Sequence, residues 1–251
     1  MLNLENKNVL VTGGSRGIGK ACVELFLNSG ANVAFTYQSA IKEAETIITD
    51  YRGSSKLKHF QLNLSESGNI EDVVNSIIHE FKRIDILVNN AGIWKEAAID
   101  EMTIDQWNET MNINLTSSYL IIKLVVPGMK KNKFGRIINI ASTAGQRGEA
   151  FHSHYAASKG GMISLTKSLA SELGKDNITV NCVAPGWVIT DMTTDSLAES
   201  ETYKKVVGDI PLNKIAQPKE IAGPVLFLAS DLASHITGEI LNVNGGSVLC
   251  G

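Results

Sequence analysis

Tyr155 and Lys159 stand four positions apart in Tyr155-Ala156-Ala157-Ser158-Lys159, at the start of an amphipathic pattern that runs to Leu173. On an α-helix that spacing puts both side chains on one face. A phenol titrates near pH ~10, so one that trades protons near neutrality needs its anion stabilised by roughly 4 kcal/mol. An ammonium a few ångströms away in a partly desolvated site can do this, and can also hold ribose hydroxyls. Ser142 lies upstream, at the end of the apolar run 136–141, where its hydroxyl can hydrogen-bond a substrate oxygen. Together the three fit proton exchange with the oxygen of a carbonyl or a secondary alcohol. Each alone has a plainer reading, Tyr155 as a core residue, Lys159 as a solvated charge and Ser142 as a turn residue.

Such a pair needs a hydride donor and elements that hold it. Thr12-Gly13-Gly14-Ser15-Arg16-Gly17-Ile18-Gly19 lies between the β-branched run 8–12 and a helical pattern from Ile18 through Leu27. Glycines there permit a tight turn and close approach of backbone to a pyrophosphate, which then faces the helix amino terminus. This makes Gly13, Ser15, Arg16, Gly17, Ile18 and Gly19 candidate cofactor contacts, although such a loop can also be only a tight strand-to-helix turn. No acid occurs in residues 31–42, where a carboxylate would receive the adenosine ribose of NAD. With Thr36 neutral at that position and Arg16 nearby, NADP(H) is expected over NAD(H). Asn89-Asn90-Ala91-Gly92 closes a further apolar run, at the sheet edge where such folds place ligands, so Asn90, Ala91 and Gly92 join the candidate set. Backbone reasons alone could also put Asn and Gly in a turn there.

Apolar runs at 8–12, 32–36, 57–62, 84–89, 136–141, 178–183 and 240–243 are separated mostly by segments long enough for crossover helices. Several are nearly continuous in apolar character, as in strands covered on both faces. The expectation is a Rossmann-like, doubly wound α/β fold of about seven parallel strands, in one domain spanning 1–251. Residues 186–215 are too irregular for a routine connection and form a candidate substrate-covering loop. The chain has 251 residues and a formal net charge of −3, which gives no global pull toward nucleic acid or anionic membrane. Cys22, Cys182 and Cys250 lack paired spacing and read as reduced thiols. His152 and His154 are without a metal-ligand set and read as pocket-wall or loop residues; no metal is expected. The start of the chain lacks a basic and apolar leader, so a cytoplasmic location is expected. Ser142 lies in no Gly-x-Ser-x-Gly elbow, which argues against a serine hydrolase.

In order and spacing, Thr12-Gly13-x3-Gly17-Ile18-Gly19, Asn89-Asn90-Ala91-Gly92, Ser142 and Tyr155-x3-Lys159 resemble the short-chain dehydrogenase/reductase family over nearly the whole chain. The resemblance implies Tyr155 as general acid, Lys159 as its pKa-lowering and ribose-binding partner, and Ser142 as substrate-oxygen ligand. It adds Asn114 as a fourth catalytic residue, holding a water in the proton relay. It also implies cofactor contacts at Pro185, Gly186 and Thr190, and at Asn63, where the family usually has Asp. Residues 242–246 resemble the strand with which the family builds tetramers. Within the family, 180–186, 190–193 and 236–239 are most similar to the branch that reduces 3-oxoacyl groups carried on acyl carrier protein. Ile93-Trp94-Lys95-Glu96 departs from that branch, which leaves open a reductase or dehydrogenase of another small ketone, sugar or polyol. A cofactor-binding protein without catalysis is a more distant alternative, against which the intact quartet argues. Lys130, Lys131, Lys133 and Arg136 form a basic cluster that could receive an acidic carrier, or simply end a helix in solvent.

Overall fold

The structure is a computed structural model that describes residues 2–53 and 56–249; Cys250 lies outside the described residues. Seven short strands, β1 (Asn8–Val11), β2 (Asn32–Tyr37), β3 (Leu57–Gln61), β4 (Ile86–Asn89), β5 (Gly135–Ile140), β6 (Ile178–Pro185) and β7 (Ile240–Val243), form one sheet. Their order is β3-β2-β1-β4-β5-β6-β7, and every adjacent pair is parallel. The chain therefore winds outward from β1 in one direction and from β4 in the other. The crevice between those two strands is where an open sheet of this kind takes a ligand.

The helices are α1 (Gly17–Asn28), α2 (Ile41–Asp50), α3 (Ser67–Phe81), α4 (Ile104–Met111), α5 (Ser117–Asn132), α6 (Ala144–Arg147), α7 (Ser153–Leu173), α8 (Thr194–Leu197), α9 (Ser200–Gly208) and α10 (Pro218–Ala229). Alternation along the strands divides the core into two layers. Val9 and Val11 meet Val23 and Phe26 of α1 and Ile221 and Val225 of α10 on one face. Leu10 of the same strand meets Ile70 and Ile77 of α3, Ile121 and Met129 of α5, and Leu173 of α7 on the other. Burying each large apolar side chain contributes on the order of 1.5–3 kcal/mol, and the two layers clamp the sheet that carries the loops at its carboxyl edge.

Most strands differ from the sequence expectation by a residue or two at an end, and in two places the local reason is plain. β1 stops at Val11 because the Thr12 hydroxyl accepts from the backbone N–H groups of Asn90 and Ala91, both at 3.0 Å. β6 continues through Ala184 and Pro185, which pair with Asn242 and Val243. Residues 186–215 contain α8 and α9, and the stretch is closed at its base where Ile189 N–H donates to Ala216 O at 2.9 Å and Ala216 N–H to Trp187 O at 3.1 Å. Between α4 and α5, residues Asn112–Thr116 form a π-helical turn. It was not visible in the apolar pattern, and turns of this kind recur at functional sites.

Candidate active site

The glycine loop is stitched to the β4 turn across the crevice. Asn90 Nδ2 donates to Thr12 O at 2.9 Å and Gly13 O at 3.1 Å, while Thr36 Oγ1 accepts from Gly13 N–H at 3.2 Å. A side chain at Gly19 would collide with Gly13 O and crowd the Asn90 amide, and a Cβ at Gly14 would come within 2.6 Å of Phe35. Gly13 and Gly17 adopt positive φ, which side chains rarely tolerate. The result is a bare backbone cradle at the amino end of α1, whose shape and dipole fit a pyrophosphate. Gly13, Ser15, Arg16, Gly17, Ile18 and Thr36 line a cavity of about 290 Å³, which continues past Asn90, Ala91 and Gly92 to Ser142, Tyr155 and Lys159. Pro185, Gly186 and Thr190 line it from the β6 side.

Three sequence candidates stand outside that lining. Gly19 acts by having no side chain. Asn63 is engaged elsewhere: its Oδ1 accepts from Gln38 Nε2 and from both the N–H and hydroxyl of Ser65, and its Nδ2 donates to Glu66 at 2.7 Å. Asn114 is completely buried behind the cavity, with Oδ1 accepting from Ile93 N–H at 2.8 Å and Nδ2 donating to Ile93 O at 2.9 Å and Ser158 Oγ at 3.1 Å. Its amide is thus occupied in fixing the turn after β4 to α7, instead of presenting a free group to a water. Ser158 completes the brace by donating to Tyr155 O at 2.7 Å. Ser158 and Thr12 are site residues that sequence reading did not single out, although both sit inside motifs it quoted.

At the other end, α7 buries His154, Ser158, Met162, Thr166 and Ala170 at intervals of four, which turns Lys159 inward and Tyr155 toward the cavity. Lys159 Nζ donates to Ile140 O at 2.8 Å and lies 5.8 Å from the Tyr155 ring centroid. Burial lowers the lysine to about 8. The tyrosine goes the opposite way from the expectation: burial pushes it up to about 12, against a smaller lowering by the hydrogen bond with Ser142, and the charge of Glu149 raises it further. Loss of hydration decides the direction, and the Lys159 ammonium is spent on the Ile140 carbonyl. Ser142 Oγ also accepts from Ala144 N–H at 3.1 Å, which fixes the hydroxyl at the mouth of β5.

The basic cluster is corrected by the structure. Arg136 is buried, with its guanidinium over the Phe134 ring and Nη1 donating to Gly135 O at 2.9 Å, so it is no part of a surface patch. Lys133 is paired with Asp176 at 2.5 Å and Lys130 with Glu172 at 3.9 Å. The cluster also lies at the far end of α5, whose 16 residues span about 24 Å from the site end at Ser117. His152 stands behind the cavity wall, stacked on the lining residue Trp94 with ring centroids 4.4 Å apart, and His154 is buried. Among the described residues no three His, Cys, Asp or Glu side chains are grouped as metal ligands would be. No helix among those residues is long and apolar enough to cross a membrane.

The two-layered sheet, the glycine cradle and the Ser142, Tyr155 and Lys159 set define a nicotinamide-dependent oxidoreductase of CH–OH/C=O groups, and the chain belongs to the short-chain dehydrogenase/reductase family. Residues 13–247 match the family described as Enoyl-(Acyl carrier protein) reductase. The chain is similar to 3-oxoacyl-[acyl-carrier-protein] reductase FabG of Vibrio cholerae, 44% identical over 245 residues that cover 98% of each protein. The FabG of Thermotoga maritima is 38% identical over 254 residues, covering 99% of this chain and all of that one. Among solved structures, a short-chain dehydrogenase/reductase titled glucose/ribitol dehydrogenase from Brucella melitensis superposes with a TM-score of 0.92 at 32% identity, over 99% of both chains.

Proposed function

We propose that this protein reduces the 3-oxo group of an acyl thioester, presented on acyl carrier protein, to the 3-hydroxyacyl thioester with NADPH. The observation that carries the reading is that Ser142 and Tyr155 share one end of the cavity whose other end is the glycine cradle. The names of the similar FabG proteins supply the substrate class. When bound, the nicotinamide cofactor supplies the hydride to the carbonyl carbon. The chain's own residues do the rest. The hydroxyls of Ser142 and Tyr155 hold and polarise the carbonyl oxygen, and Tyr155 delivers its proton there as charge develops. Lys159, whose Nζ donates to Ile140 O at 2.8 Å, would hold ribose hydroxyls and keep a positive charge beside the phenol. Asn114 and Ser158 position the turn and the helix between which the substrate lies.

Reduction needs the phenol to start with its proton, and burial, which pushes Tyr155 up to about 12, keeps it there near neutral pH. NADP(H) is preferred over NAD(H) on the strength of Arg16 at the rim of the cradle, where it faces Asp191 at 3.3 Å with both side chains exposed. A 2′-phosphate can draw that guanidinium from its exposed pairing with Asp191, and no acid in 31–42 repels it. Residues 186–215 act as the substrate-covering segment of a single-domain, cytoplasmic homotetramer. Lys130, Lys131 and Lys133 would receive a carrier protein on behalf of a second copy packed along α5, because their own cavity opens at the opposite edge. A second reading, a dehydrogenase of a small sugar or polyol, is favoured only by the likeness to the Brucella glucose/ribitol dehydrogenase.

The deciding experiment is steady-state oxidation of NADPH and NADH with acetoacetyl thioesters, set beside a panel of sugars and polyols with NAD and NADP. The expected result is turnover of the thioester with a higher kcat/KM for NADPH. Turnover of polyols without thioester reduction would replace this reading with the second.

A further inference from the structure

In the sheet, β5 lies between β4 and β6, so the loop carrying Ser142 is flanked by the loops that carry Trp94 and Trp187. The two indoles meet across it, edge to face, with centroids 5.8 Å apart and planes at 84°. Both line the same cavity as Ser142 and Tyr155. We infer that Trp94 and Trp187 form a specificity wall beside the reacting carbonyl, selecting substrates that are unbranched at the carbon next to it. The inference deepens the carbonyl-reductase reading and rests on it.

What makes the wall selective is that Trp94 is braced. His152 stacks flat against it, with planes 6° apart, and the indole Nε1–H donates to Glu149 Oε2 at 3.3 Å. The same two loops are tied by Ala97 N–H donating to Phe151 O at 2.8 Å, with Phe151 held at φ +62°, a conformation that bulky residues adopt only when surroundings impose it. On the opposite side, Trp187 O accepts from Ala216 N–H at the base of the 187–216 segment. A methyl branch pressed against an indole with a second ring at its back cannot be accommodated by a small side-chain shift, so the cost falls on the substrate. A flat, unbranched 3-oxoacyl group slides past the ring faces.

The test compares acetoacetyl and 2-methylacetoacetyl thioesters of N-acetylcysteamine, with NADPH, in the wild type and in Trp94→Ala, Trp94→Leu and His152→Ala. The wild type is expected to favour the unbranched substrate by about a hundredfold in kcat/KM, and Trp94→Ala to reduce that ratio about tenfold. NADPH affinity, read by fluorescence titration, should stay within about twofold and shows that each variant is folded. Trp94→Leu keeps the site apolar if the alanine variant fails to fold, and His152→Ala, which removes the brace and leaves the indole, should lower the ratio part of the way. An unchanged ratio in a folded Trp94 variant overturns the inference. If the wild type reduces neither thioester, the substrate reading fails instead, and the same branched-versus-unbranched comparison on a simple ketone that it does reduce still tests the wall.

Discussion

Burial pushes the Tyr155 phenol up to about 12, so it holds its proton near neutral pH, and removing that proton source should cost rate and little else. Tyr155→Phe is expected to lower kcat for thioester reduction by about 10²–10⁴-fold with NADPH binding nearly intact, checked by turnover and by fluorescence titration. Lys159 brings its own signature. Its buried ammonium is depressed to about 8, so the cation is complete below that pH and disappears as pH rises through it. The kcat/KM for reduction should therefore fall on the alkaline side with an apparent pKa near 8; a profile flat to pH 10 would remove the lysine charge from the free enzyme's requirements. That Ser142, Tyr155 and Lys159 meet at one cavity was legible in the sequence from residue type and spacing. Asn114 and Asn63 were legible as positions and not as roles. The amide of Asn114 is consumed by the backbone of Ile93, and that of Asn63 by Ser65, Glu66 and Gln38, partners that only the folded chain brings to them.

At the scale of elements, the catalytic helix is positioned by absence of side chains. A Cβ on Gly145 of α6 would lie 2.6 Å from the Lys159 carbonyl carbon and 2.7 Å from Gly160 N, and one on Gly160 would meet Gly145 O at 3.2 Å. α6 and α7 thus touch backbone to backbone just where Lys159 turns inward. Gly145→Ala is expected to destabilise the fold by about 1–3 kcal/mol, as overpacking does, and to lower kcat with it. Chemical denaturation and steady-state kinetics check the pair, and wild-type values for both would mean that the helices can part at no cost. The strands and their parallel direction, though not their order, were legible from apolar runs and crossover lengths, with ends wrong by a residue or two where a hydroxyl or a cross-strand pair decides the boundary. The glycine contact between α6 and α7 was not, because the two glycines are far enough apart in sequence to belong to different patterns. The helices inside 186–215 were missed for a different reason: α8 is one turn long and neither α8 nor α9 buries a side chain completely, so no strong periodicity marks them.

For the molecule as a whole, the two buried thiols set an alkaline limit. Burial pushes Cys22 and Cys182 up to about 12 from the ordinary value of 9.0. In the unfolded chain they lose protons above pH ~9 while the folded chain holds them, so their stability contribution is complete below that pH and is lost as pH climbs toward 12. Tyr155 acts in the same sense from pH ~10, and Lys159, whose folded pKa is depressed, acts in the opposite sense between about 8 and its ordinary 10.5. Three groups against one predict a falling Tm above pH ~9, with Cys22→Ala making the fall shallower. The same burial predicts that thiol reagents leave residues 22 and 182 unmodified in the native protein, as peptide mapping would show.

The π-helical turn at Asn112–Thr116 has a consequence for the length of the chain. A π turn spends one residue more than an α-helix over the same rise, and Asn114 faces Ile93 because that extra residue is there. Deleting one residue from the turn would let α4 and α5 join as an unbroken α-helix, which is locally the more comfortable state. It would also rotate one helix relative to the other by about 100°, the angle of a single residue, and carry Asn114 off its seat. This is a place where a single lost codon would leave a longer, straighter helix and a site whose β4 turn is no longer fixed to α7.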